Sequence, residues 1–171
     1  MACVDVDKIE EAWTGRLLKE EWNLFVTFTF KNEISFEHIH GVYGRFAVNL
    51  RKHVYGKNSK KRVPMFPVIE GELPNDTMFL ERRHIHVLLN LQSSIAQSRE
   101  LLRELWMAAS THCGDPDVAC SEQDKDEWCL AIFTKAYRRN RVSYILKQAK
   151  FNSDRIMNYY TQASLTSAAK D

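Results

Sequence analysis

The segment His84-Ile85-His86-Val87-Leu88-Leu89-Asn90 constrains the fold of this chain more than any other, because it has the pattern of a β-strand with two different faces. Successive side chains of a strand point to opposite sides of a sheet. Four apolar side chains therefore share one face, which has to be buried: Ile85, Val87, Leu89 and Leu91. His84 and His86 share the other face, where two imidazoles at positions i and i+2 form half of a site for a divalent metal ion.

The rest of the chain predicts an α+β fold around this strand. Helices are predicted over residues 1–21, 35–56, 101–114 and 137–150, and strands over residues 22–30, 63–71, 82–91 and 127–134. The order βαββαβ of the central elements is typical of a ferredoxin-like sheet, in which the first and third strands are neighbours. We therefore expect a central antiparallel sheet of about five strands, flanked by helices. Thr27 would lie beside the histidine strand, and Glu70 would lie on an edge strand that pairs with it.

Length and composition indicate one domain. The chain has 171 residues, of which 44% are hydrophobic and 27% charged, as is ordinary for a globular protein. We assign residues 1–152 to this domain, with the core in 22–150, and residues 153–171 to a polar tail. The apolar runs are too short to cross a bilayer, and the N-terminus has no signal-peptide pattern. We expect a cytoplasmic protein, or a nuclear one in a eukaryotic host, with no membrane partner.

Basic residues are clustered although the net charge is only +2. The first cluster contains Lys57, Lys60, Lys61 and Arg62, and the second contains Lys135, Arg138, Arg139 and Arg141. The net charge by itself does not indicate a nucleic-acid partner. The second cluster is the more informative one, because it adjoins Tyr144, where phosphates would have to lie if that tyrosine were a nucleophile.

The two histidines need at least one further ligand to form a metal site. Glu70 is the nearest carboxylate candidate, and Glu72 lies two residues on, on the same face of the strand. Imidazoles with a carboxylate suit magnesium, manganese or zinc. The alternative is a pair of half-buried histidines that form only hydrogen bonds. The similar pair His38 and His40 lies within a predicted helix, where residues two apart point about 200° apart, so we expect these two to be structural.

Tyr144 lies on the last predicted helix among polar neighbours. Val142, Ile145, Leu146 and Ala149 follow the spacing of a buried helical stripe. Tyr144, Lys147 and Gln148 fall on the opposite stripe, where residues three and four apart are neighbours. A phenol has a pKa of about 10 and needs help to act as a nucleophile at neutral pH. A nearby ammonium and a metal-polarised phosphate would supply that help. The alternative is an ordinary exposed tyrosine on a basic helix.

Three segments in this order resemble the motifs of the HUH endonucleases: Phe25-Val26-Thr27-Phe28-Thr29, His84-Ile85-His86 and Tyr144-Ile145-Leu146-Lys147. This superfamily contains rolling-circle replication initiators, relaxases and single-tyrosine transposases. The resemblance covers residues 22–150. Because the tyrosine follows the histidines, the chain is most similar to the replication initiators, or Rep proteins.

The resemblance implies a site-specific nicking and rejoining enzyme for single-stranded DNA. A Mg²⁺ or Mn²⁺ ion held by His84, His86 and a third ligand would polarise the phosphate. Tyr144 would attack it and form a 5′-phosphotyrosine, with Lys147 stabilising the phosphate or the phenolate. We expect further DNA contacts from Arg138, Arg139, Arg141, Lys60, Lys61 and Arg62. Further expected partners are a host helicase and replication proteins.

Two alternatives to a Rep protein stay open. In the transposase branch the third metal ligand is a glutamine four residues after the tyrosine, and Gln148 has that spacing. Glu70 is favoured because Lys147 completes the Rep pattern. The second alternative is a non-catalytic module that binds single-stranded nucleic acid on its sheet. The chain has no GxxxxGK[ST] nucleotide-binding motif, so we expect a compact enzyme or an endonuclease domain from a longer chain.

Overall fold

The computed structural model of the protein describes residues 6–71, 83–91, 95–116, 135–149 and 155–157. Four helices and three strands occur in these ranges. In chain order they are α1 (Val6–Leu17), β1 (Leu24–Phe28), α2 (Phe36–Tyr55), β2 (Met65–Glu70), β3 (His84–Leu89), α3 (Ile95–Ala109) and α4 (Lys135–Ala149). The predicted α+β class is therefore confirmed.

The three strands form one antiparallel sheet in the order β1-β3-β2. On β3, His86 lies opposite Thr27 of β1 and opposite Val68 of β2. His84 lies opposite Glu70, the last residue of β2. The histidine strand thus has the two neighbours that the sequence predicts.

Among the described residues, the edge of β2 that faces away from β3 pairs only with a short segment. Ile156 forms a single bridge with Val68, and the Met157 N–H donates to the Pro67 carbonyl at 3.2 Å. In an antiparallel strand the N–H and C=O of one residue point to the same side. Pro67 therefore faces away from β3, where its missing N–H removes no hydrogen bond between the two strands.

The described sheet has three strands, whereas about five are expected from the sequence. The predicted strand over residues 127–134 lies outside the described residues. Residues 155–157 are the described part of the expected polar tail, and Met157 is buried in the core. Among the described residues, no helix combines the length and the apolar character needed to cross a membrane.

Both faces of the sheet are covered by helices. The first face packs against α2 and α3, and the predicted apolar face of the histidine strand is buried there. The largest side chains of the core cluster on this face are those of Phe28, Phe46, Tyr43 and Trp106. The second face packs against α1 and α4 through a smaller apolar cluster: Leu17, Trp22, Phe25, Phe66, Val68, Leu88, Val142, Ile145 and Leu146. The predicted buried stripe of α4 is thereby confirmed for its three described members.

Helix α2 begins and ends where the sequence predicts. The Ser35 hydroxyl accepts a hydrogen bond from the backbone N–H of His38 at 3.3 Å, which satisfies one of the free donors of the first turn. Gly56 follows the last turn with φ of 87°, a conformation that glycine adopts at little cost. His38 packs against His112 and His40 packs against Phe36. The two imidazoles do not share one site, as expected from the helical spacing.

Candidate metal centre

The face of the sheet that α1 and α4 cover changes from apolar to polar along the strands. Strand pairing sets three successive rows on this face: Phe25, Leu88 and Phe66; then Thr27, His86 and Val68; then His84 and Glu70. The first row belongs to the apolar cluster beneath the helices. The polar groups therefore lie at one end of the sheet, beside a hydrophobic core that excludes water from one side.

Glu70, His84 and His86 form a compact cluster at this end of the sheet. The Nε2 atom of His84 lies 2.9 Å from Oε2 of Glu70 and 3.2 Å from Nε2 of His86. The Nε2 atom of His86 also contacts Oε2 of Glu70. Glu70 and His86 are buried, and His84 is partly exposed. The cluster is thus accessible from the side of His84.

The charge of Glu70 is stabilised by the two imidazoles. Burial alone would raise the pKa of the carboxyl group, because it penalises the charged form. Hydrogen bonds from His84 and His86, together with their positive charge when protonated, outweigh burial and lower the pKa from 4.5 to about 2. Glu70 is therefore a carboxylate at neutral pH, which is the form that binds a metal ion.

The three side chains could hold a metal ion. Each offers one donor atom, and these atoms all lie within 4.8 Å of one another. Donor atoms about 3 Å apart are neighbours around a single ion when each bond is about 2.0–2.2 Å long. Two nitrogen donors and one oxygen donor suit several divalent ions. Within the described part of the chain, this is the one group of three such side chains.

The His86 imidazole is held by neighbours on three sides. The Thr27 hydroxyl lies 2.9 Å from Nδ1, the ring nitrogen that faces away from Glu70. The Phe25 ring stacks on the imidazole, with centroids 5.2 Å apart and planes inclined by 23°. The Tyr144 ring meets the imidazole edge-on at 5.4 Å. These contacts restrict the ring to one orientation, with Nε2 toward the cluster.

Tyr144 reaches the cluster from α4. Its side chain is 39% exposed, and its hydroxyl lies 3.5 Å from Oε2 of Glu70. The ring also contacts Phe25 edge-on, with centroids 6.2 Å apart. Ile145 and Leu146, the adjacent residues of the helix, are buried in the apolar cluster. The packing of α4 thus brings a phenol with a solvent-accessible side to the polar end of the sheet.

The other predicted residues of α4 are placed as follows. Lys147 is exposed, one helical turn after Tyr144. Arg139 is exposed, and the Arg141 guanidinium lies over the Phe25 ring at 5.3 Å. The side chains of Arg138 and Gln148, and all of Glu72, lie outside the described residues. Of the three candidate third ligands, the structure describes Glu70 at the histidines.

The first basic cluster lies away from the metal site. Lys60, Lys61 and Arg62 are exposed and precede β2, whereas Glu70 is the last residue of that strand. Five steps of about 3.3 Å separate the two ends of β2, a distance of about 16 Å. The structure therefore does not bring Lys60, Lys61 and Arg62 together with the candidate metal site.

The sequence indicates Glu70, His84 and His86 as candidate ligands but assigns no role to Phe25 or Thr27. Both contacts follow from the strand order. Once β1 is placed beside β3, alternation puts Phe25 and Thr27 on the same face as His86. The signal was present in the sequence, but its use depends on the register between strands that are far apart in the chain.

Comparison of the chain with protein-family models, with curated proteins and with solved structures finds no significant match.

Proposed function

We propose that the protein is a metal-dependent endonuclease of the HUH type that nicks and rejoins single-stranded DNA and so initiates rolling-circle replication of a plasmid, phage or other mobile element. One observation supports this proposal most: the Tyr144 hydroxyl lies 3.5 Å from Glu70 and beside His86, within reach of a three-residue cluster that could bind a metal ion. A nucleophile beside a metal site is the arrangement that metal-assisted phosphodiester transfer through a covalent intermediate uses.

The reaction exchanges one phosphodiester for another. A bound Mg²⁺ or Mn²⁺ ion would polarise the scissile phosphate. The Tyr144 oxygen attacks phosphorus, and the bond to the 3′ oxygen of the preceding nucleotide breaks as the new bond forms. The phenol proton passes through solvent to the departing 3′ oxygen, which leaves as a hydroxyl group. Because the bond types are the same on both sides, the 3′-hydroxyl can attack the phosphotyrosine and rejoin the strand.

The basic residues of α4 would bind the DNA backbone around this phosphate. Lys147 follows Tyr144 by one turn and would position the phosphate, while Arg139 and Arg141 precede it. Arg141 is half-buried over Phe25, so its guanidinium is more restricted than that of a free surface arginine. A ferredoxin-like sheet would have a further strand, for which the sequence predicts residues 127–134, outside the described residues.

The third ligand separates the Rep-type proposal from the transposase-type alternative. The contacts of Glu70 with both histidines favour the Rep type. We expect Glu70→Ala to abolish manganese binding and Gln148→Ala to leave it close to that of the wild type. The opposite result would favour the transposase branch.

The decisive experiment is a search for a covalent adduct. The protein is incubated with a labelled pool of single-stranded DNA and manganese, with and without chelator, and separated by denaturing electrophoresis. We expect a metal-dependent, detergent-resistant band for the wild type and none for Tyr144→Phe. Tyr55→Phe is the matched control, because Tyr55 is 37% exposed, close to the 39% of Tyr144.

An adduct of undiminished yield with Tyr144→Phe would show that the proposed nucleophile is wrong. DNA binding that ignores the chelator and yields no adduct would favour the non-catalytic binding module instead.

A further inference from the structure

The Thr27 side chain contacts the candidate metal site from behind. Its hydroxyl oxygen lies 2.9 Å from Nδ1 of His86, and both side chains are buried, at 6% and 5% exposure. The two residues lie directly opposite each other in the pairing of β1 with β3. The contact is therefore set by the strand register and by the stiff, β-branched threonine side chain, rather than by a flexible surface group.

We infer that Thr27 is a positioning residue that keeps the His86 imidazole hydrogen-bonded both with and without a bound metal ion. This inference rests on the proposed function, because it assumes that Glu70, His84 and His86 bind the ion. A hydroxyl group both donates and accepts hydrogen bonds, whereas a carboxylate only accepts them. Thr27 can therefore serve either arrangement of the proton on the imidazole.

The two arrangements follow from the atoms around the ring. When Nε2 carries the proton, its N–H donates a hydrogen bond to Glu70. Nδ1 then has a lone pair and accepts a hydrogen bond from the Thr27 O–H. When the Nε2 lone pair faces a metal ion, the proton is on Nδ1, which donates to the Thr27 oxygen. The imidazole keeps one proton in both cases, and no buried ring nitrogen is left without a partner.

The position of Thr27 also prevents rotation of the ring. Phe25 limits tilting of the imidazole by stacking on it, but stacking does not distinguish the two edges of the ring. The hydroxyl group does, because only one edge places a nitrogen 2.9 Å from it. Groups that bind the far nitrogen of a metal-ligating histidine typically contribute about 10–100-fold to metal affinity.

The test compares one substitution that keeps the shape of the Thr27 side chain with one that keeps its hydroxyl group. Thr27→Val replaces the hydroxyl by a methyl group, and Thr27→Ser retains it. Thr29→Val is the matched control, since the Thr29 hydroxyl donates to the Asp115 carbonyl and not to a histidine. Each protein is titrated with Mn²⁺ by calorimetry, and folding is checked by circular dichroism.

We expect Thr27→Val to bind Mn²⁺ about tenfold or more weakly, and Thr27→Ser and Thr29→Val to bind it nearly as the wild type does. A spectroscopic measurement adds to this. In the metal-free wild type, the ¹⁵N resonance of His86 Nδ1 is expected at the position of a hydrogen-bonded acceptor, and in Thr27→Val at that of a free one.

The outcomes separate the inference from the proposed function. If the wild type binds Mn²⁺ and Thr27→Val binds it equally well, the role of Thr27 is wrong and the proposed function stands. An unchanged Nδ1 resonance in Thr27→Val would equally overturn the role of Thr27. If the wild type does not bind Mn²⁺, the proposed metal chemistry fails, and the positioning role fails with it.

Discussion

Replacing Glu70 by glutamine removes the carboxylate charge from the cluster while nearly keeping its shape. In the metal-free protein, the two imidazoles lower the pKa of this carboxyl group from 4.5 to about 2. A group with a lowered pKa in the folded state stabilises the fold above its unfolded pKa, and the stabilisation is lost as the pH falls through its folded pKa. The contribution of Glu70 is therefore present above about pH 4.5 and lost toward pH 2.

The size of the effect follows from the shift. At about 1.4 kcal/mol per pKa unit, the contribution of Glu70 is about 3 kcal/mol near pH 5.5. The same relation leaves about 2 kcal/mol at pH 3.5 and less than about 1 kcal/mol at pH 2. The His84 side chain is 24% exposed, so screening by water makes these figures upper bounds.

The assay is urea unfolding of the wild type and Glu70→Gln in the presence of chelator, from pH 5.5 downward, where imidazoles are ordinarily protonated. We expect the difference in unfolding free energy to shrink by up to about 1 kcal/mol between pH 5.5 and 3.5. Glu33→Gln, which changes an exposed carboxylate, is the control. Parallel stability curves for the wild type and Glu70→Gln across this range would refute the electrostatic reasoning.

Three further predictions concern the core, the strand end and the metal. Phe28→Ala should lower the unfolding free energy in urea by about 3–5 kcal/mol, because Phe28 is fully buried among aromatic rings. Gly71→Ala should reduce both stability and Mn²⁺ affinity, because Gly71 has φ of 113° and a Cβ atom there would lie 2.8 Å from the Cα atom of Arg83. Its control is Gly15→Ala, which should instead raise the melting temperature, because a Cβ atom at Gly15 would meet open space. Manganese at about 100 times its dissociation constant should stabilise the wild type by about 2.7 kcal/mol, measured as a rise in melting temperature, and should have no such effect on His86→Ala.

Alternation along single strands was enough to predict the faces of the sheet. The side chains of β3 alternate as the period of two requires, with the apolar set buried beneath α2 and α3. The neighbours of β3 were also predictable, because the order of elements places β1 and β2 on either side of it. Opposite-strand pairing then brings Glu70 to His84.

The packing of α4 could not be read from its sequence. Its pattern predicts a buried stripe, which is confirmed by Val142, Ile145 and Leu146, but it does not say which face of the sheet the helix covers. Had α4 packed on the other face, Tyr144 would be separated from His86 by the sheet. Val142, Ile145 and Leu146 of α4 pack against the apolar residues of the same sheet face that carries His86. Because of this packing, the Tyr144 ring meets the His86 ring edge-on.

The sequence by itself determined local properties of this protein: the order of the described helices and strands, the buried faces of β3 and α4, and that two histidines share one side of a strand. These follow from periods of 2 and 3.6 residues, which depend only on near neighbours. The sequence did not determine every boundary, since α3 spans Ile95–Ala109 where a helix over residues 101–114 is predicted. The tertiary structure decided what meets at the site: Thr27 behind His86, Tyr144 beside Glu70, and the basic residues 60–62 at the far end of β2. Those relations depend on strand register and helix packing, which join residues distant in the chain and change completely with a shift of one residue.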